Sequence, residues 1–109
     1  MDKELRVLIV EDVPADAELV ERELKKADIA FRTKRVETRE SLLSELERFL
    51  PDIVLSDYSL PSFDGMSVLK LVREMDADLP FIFVSGSLGE ERAVEMLKNG
   101  ATDYILKDK

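Results

Sequence analysis

The sequence contains no cysteine and no histidine. The first absence removes disulfides, thiolate metal sites and cysteine nucleophiles. The second removes the commonest general base and the commonest metal ligand. A metal bound here is therefore a hard cation held by oxygens, and a nucleophile is a hydroxyl, a lysine or a carboxylate. No apolar run approaches the roughly 20 residues needed to span a bilayer, so no membrane contact is expected. There is no Gly/Ser linker, repeat or low-complexity segment. Basic residues are scattered, apart from the short Arg32-Thr33-Lys34-Arg35, and the formal net charge is −8. That balance speaks against direct nucleic-acid binding, which shows a basic face. The acidity by itself reads as solubility. The opening Met1-Asp2-Lys3-Glu4 is charged and enters a core-like run directly. It reads as no secretory signal, which gives an expectation of a cytoplasmic chain.

What is present is a globular balance of 45% hydrophobic and 37% charged residues in 109 positions. That length suits one domain, residues 1–109, with one packed core. Short β-rich runs alternate with amphipathic stretches. Leu5–Val10, Phe31–Val36, Ile53–Ser56, Phe81–Ser85 and Thr102–Leu106 read as strands, with Phe31–Val36 polar enough for an edge. Between them, Val13, Ala17, Val20, Leu24 and Ala27 trace one helix face, with Pro14 in its first turn. Residues 38–49 form a second helix with Leu42, Leu46 and Phe49 on one side. Asp64 caps a third carrying Val68, Leu69, Val72 and Met75. Ser87 to Glu90 fits a capping box for a fourth that runs through Lys98, and Gly100 is placed to end it. The order βαβαβαβαβ implies an α/β fold: a parallel sheet with helices on both faces. Right-handed crossovers leave few topologies, among them the flavodoxin-like order 2-1-3-4-5.

In such sheets ligands bind outside the carboxyl ends of the strands. Those ends carry Glu11-Asp12, Asp57, Ser85-Gly86 and Lys107. Singly, the acidic pair fits a solvated loop and Ser85-Gly86 fits a turn. Asp57 is different: an acid that ends a buried strand is costly without a partner. Three carboxylates converging in a partly dry crevice repel unless a cation or protonation offsets them. With oxygen ligands, Mg²⁺ is the natural cation, since it takes one or two carboxylates, keeps waters and favours phosphate oxygens. Asp12 and Asp57 are the expected direct ligands, with the backbone carbonyl of Ser59; Glu11 acts through a water. The set suits phosphoryl chemistry with Asp57 as nucleophile, Lys107 paired with the phosphoryl group and Ser85 donating to one of its oxygens.

The stretches "VLIVEDVPADAELV", "DIVLSDYSLPSFDGMSVL", "PFIFVSGS" and "NGATDYILK", in this order, resemble the receiver domain of two-component response regulators across essentially the whole chain. The resemblance implies a flavodoxin-like (CheY-like) doubly wound five-stranded sheet. It also implies a phosphoacceptor in a phosphorelay, served by a histidine kinase or a histidine phosphotransfer protein and not by conventional turnover. By matching position Asp57 resembles the phosphoacceptor, Glu11 and Asp12 the acidic pair, Ser85 the switch hydroxyl, Tyr104 the switch aromatic and Lys107 the family's lysine. Ser59 and Ser87 match positions that tune the lifetime of the phosphoryl group. The tract from Ser85 to Asp108 resembles receivers of hybrid sensor kinases and sensory multidomain proteins.

Two departures stand out. Asp108 occupies the place of the family's usual proline. The chain stops before the family's fifth helix, so trimming from a longer protein is expected, with apolar surface exposed and self-association, such as a homodimer, invited. A constitutive binding module of the same fold is the alternative. A haloacid-dehalogenase-type phosphatase needs a second acid where Ser59 stands. A flavodoxin needs a phosphate cradle where the first loop is acidic.

Overall fold

The computed structural model describes residues 4–58, 64–85 and 90–106. Strands β1 (Leu5–Val10), β2 (Phe31–Val36), β3 (Ile53–Asp57), β4 (Phe81–Ser85) and β5 (Asp103–Leu106) alternate with helices α1 (Pro14–Lys26), α2 (Arg39–Arg48), α3 (Gly65–Met75) and α4 (Glu90–Lys98). The strands form one parallel sheet in the order β2-β1-β3-β4-β5. The expected doubly wound topology is therefore the observed one, with β2 at an edge.

Local chemistry explains most boundaries. Pro14 begins α1 without forfeiting a helical hydrogen bond. Asp64 caps α3 by accepting from the Ser67 amide at 2.9 Å. Thr38 and Ser41 form a reciprocal capping box at the start of α2, with serine in place of the usual Glu or Gln. Gly100 ends α4 at φ +106°. Its amide reaches the Leu97 carbonyl while the Ala101 amide reaches that of Met96. This is the paired closure of a helix C-terminus that favours glycine.

Some boundaries differ from the sequence reading. β3 runs one residue further, so Asp57 is the last rung of the ladder, opposite Val84. β5 begins at Asp103; Thr102 instead ties β4 down, accepting from the Phe81 amide through Oγ1 and donating its own amide to the Phe81 carbonyl. Val13 and Ala27, expected on the buried face of α1, are exposed because they stand just beyond the helix ends. The capping box expected at Ser87 lies outside the described residues.

The two faces of the sheet are packed unequally. α2, α3 and α4 cover one face with a continuous core that includes Leu8, Val54, Leu42, Val68, Leu69, Val72, Phe81, Phe83 and Met96. Burying each large apolar side chain there contributes about 1.5–3 kcal/mol. On the other face Ala17 of α1 closes over Val7 and Ile9, flanked by half-buried Val20, Leu24, Ile53 and Leu55. Ile105 on the same face is 50% exposed. α1 is also pinned to the edge strand, where Thr33 Oγ1 donates to Glu21 Oε2 at 2.8 Å.

Candidate functional site

The strand register brings the acids together. Val10 pairs with Ser56 across the β1–β3 ladder, so the next residue on each strand is Glu11 on one side and Asp57 on the other. Asp12 follows at the mouth of the β1–α1 turn. One carboxylate oxygen from each of Glu11, Asp12 and Asp57 lies within 4.8 Å of the other two. Glu11 is buried at 4% exposure, and its two companions are partly buried. Carboxylates at that spacing repel one another, the more so where one of them is buried. The cluster is thus a concentrated negative charge that a small cation relieves.

The donor set fits Mg²⁺. Oxygens bound to this ion at 2.0–2.1 Å stand at most about 4.2 Å apart. Separations within 4.8 Å are compatible with carboxylates gathered around one such ion, directly or through a water. Asp12 and Asp57 are the direct pair in the sequence reading, with Glu11 behind a water. Glu11 is held in place: its amide donates to the Val36 carbonyl at 2.9 Å, and its Oε2 accepts from the Val13 amide at 3.2 Å. A shallow cleft lined by Ile9, Glu11, Val20, Leu55, Asp57 and Val84 opens beside the acids.

The carbonyls of Asp57 and Tyr58 are both held. The Ser56 hydroxyl, fully buried, donates to the Asp57 carbonyl at 3.0 Å. The Gly65 amide donates to the Tyr58 carbonyl at 3.0 Å. A Cβ on Gly65 would stand 2.7 Å from the Phe83 ring and 2.8 Å from the Tyr58 Cα. Glycine is required by that close approach. Tyr58 packs edge-on against Phe83 with centroids 5.6 Å apart, and Phe83 against Phe81 at 4.9 Å.

Tyr104 pairs in register with Phe83 and packs partly buried against the main core. Ser85 is the last residue of β4, one step beyond the level of Asp57. Ser59, Gly86, Ser87, Lys107 and Asp108 lie outside the described residues. The sequence reading did not single out Arg35, whose Nη1 donates to the Glu11 carbonyl at 3.1 Å. Its signal in the sequence was only membership of a short basic patch.

A family description, "Response regulator receiver domain", matches residues 7–109. The chain belongs to this family. The receiver is 33% identical over 99 residues to the regulatory protein LuxO of Vibrio cholerae, covering 91% of this chain and 21% of that protein. It is 38% identical over 104 residues to the two-component response regulator ARR11 of Arabidopsis thaliana, covering 94% of this chain and 20% of that protein. With the virulence transcriptional regulatory protein PhoP of Salmonella typhimurium the identity is 32% over 103 residues, covering 94% and 45%. The chain thus spans less than half the length of these relatives. Among solved structures, a signal receiver domain from Vibrio parahaemolyticus superposes with a TM-score of 0.85 at 28% identity, covering 98% of this chain and 81% of that one. A Francisella response regulator receiver domain gives 0.80 at 25%, covering 95% and 84%. The flavodoxin-like fold and a place in two-component signalling follow from this membership. Among the described residues, no helix is long and apolar enough to cross a membrane.

Proposed function

We propose that this receiver accepts a phosphoryl group on Asp57 from a phosphohistidine of a histidine kinase or phosphotransfer protein, in a Mg²⁺-dependent reaction. The observation that carries the reading is the convergence of the Glu11, Asp12 and Asp57 carboxylates at the carboxyl end of a central strand.

An Asp57 carboxylate oxygen attacks phosphorus. The O–P bond forms as the P–N bond breaks, and the electron pair leaves on the donor's imidazole. Asp12, Asp57 and the backbone carbonyl of Ser59 would hold the ion, with Glu11 reaching it through a water. Bound there, Mg²⁺ supplies positive charge against the phosphoryl oxygens. Lys107, which directly follows β5, pairs with the same group, and the Ser85 hydroxyl donates to one of its oxygens. Tyr104 follows Ser85, changing the face presented to a partner. Hydrolysis of the acyl phosphate returns the carboxylate and inorganic phosphate, so the protein acts as a timed signal and not as a turnover enzyme.

Incubation with radiolabelled acetyl phosphate tests this. The expected result is Mg²⁺-dependent labelling of the parent and none of Asp57→Asn. Equal labelling of both proteins overturns the assignment. Amide spectra that ignore beryllium fluoride with Mg²⁺ would instead favour a binding module working by constitutive contacts.

A further inference from the structure

Arg35 is the next-to-last residue of β2, paired in register with Ile9 on the neighbouring strand. Its Nη1 donates to the Glu11 carbonyl at 3.1 Å and lies 3.5 Å from Glu37 Oε2. The Glu11 amide is meanwhile bonded to the Val36 carbonyl, also from β2. The edge strand therefore grips Glu11 by both its N–H and its C=O. The gripped carbonyl belongs to the Glu11–Asp12 peptide unit, which is planar and rigid. Its orientation sets the direction in which the chain leaves towards Asp12, and so where the Asp12 carboxylate stands relative to Asp57.

We infer that Arg35 is a positioning residue for the acidic centre, holding the Glu11–Asp12 peptide in the orientation that lets the carboxylates bind a divalent cation. The inference rests on the reading of these carboxylates as a Mg²⁺ site. Arg35 contacts the Glu11 carbonyl and the Glu37 carboxylate, and acts on the site through the backbone. Glu37 offsets its charge, so the guanidinium contributes direction more than field.

The two contributions have opposite signs. A cation beside a metal site weakens metal binding, so if charge were what mattered, removing Arg35 would tighten Mg²⁺. If the hold on the peptide matters, removing it loosens Mg²⁺. Arg35→Met keeps an unbranched apolar stem and deletes donors and charge; Arg35→Lys keeps the charge on one donor nitrogen but loses the planar fork.

The measurement is Mg²⁺ titration of the ¹⁵N-labelled folded protein, following the amides of Glu11 to Val13 and of Asp57. The expected result is a dissociation constant raised about three- to tenfold in Arg35→Met, the size of one typical net hydrogen bond, with an intermediate value in Arg35→Lys. A purely structural part for Arg35 would change the melting temperature in chelator and leave the affinity of the folded protein alone. An Arg35→Met affinity within twofold of the parent, or tighter, overturns the inference and leaves the Mg²⁺ reading standing. A parent that shows no saturable Mg²⁺ binding overturns both.

Discussion

Replacing Asp57 by asparagine removes one of three carboxylates whose oxygens lie within 4.8 Å. The Asp57→Asn protein is expected to melt higher than the parent in chelator, by the few degrees that about 1 kcal/mol confers on a domain of this size. It is also expected to lose most of its response to Mg²⁺. Calorimetry with and without the ion checks both, and a lower melting temperature in chelator would remove the claim of a preformed repulsive cluster. Gly65 makes the opposite kind of demand. An alanine methyl would stand 2.7 Å from the Phe83 ring and within 2.9 Å of two Tyr58 backbone atoms. Gly65→Ala is expected to cost about 2–3 kcal/mol in urea unfolding. It should also slow labelling of Asp57, because the strain falls on the residue next to the proposed phosphoacceptor.

Helix ends show where the chain is well tuned and where it is not. α2 and α3 carry side-chain caps, from Thr38 and Asp64. The residue before α1, Val13, has extended backbone, no side-chain cap and 43% exposure. Val13→Ser supplies the missing acceptor at the cost of little buried area, and is expected to raise stability by about 0.5–1 kcal/mol. Urea midpoints compared with the parent check it. Periodicity had placed Val13 on the buried face of α1. That pattern records spacing along a helix but not where the helix stops, so residues one step past either end were read into it. Boundary shifts at β3 and β5 have the same origin: a ladder ends where its partner strand ends, and Asp57 belongs to β3 because Val84 stands opposite.

Across the molecule, charge and fold are coupled through the acidic crevice. A cation that binds the folded site and not the unfolded chain stabilises by mass action. At about ten times the dissociation constant this comes to about 1.4 kcal/mol, a rise of roughly 4–8 °C. Melting in millimolar Mg²⁺ against chelator measures it, and Asp12→Asn should shrink the increment. Screening by monovalent salt alone should give a smaller rise.

The order of elements and the strand-end acids were legible in the sequence, because periods of two and of three to four are local and turn residues act within a few positions. Reading those ends as one site needed only the rule that ligands gather at the carboxyl ends of a parallel sheet. Other features came only from the assembled sheet. Glu11 is buried because β1 sits between β2 and β3, and Arg35 reaches its carbonyl because the edge strand pairs in one particular register. Gly65 is confined by Tyr58 and by Phe83, the latter 18 positions away. Contacts between residues far apart in the chain follow from strand order and register, and no local pattern of residues encodes those.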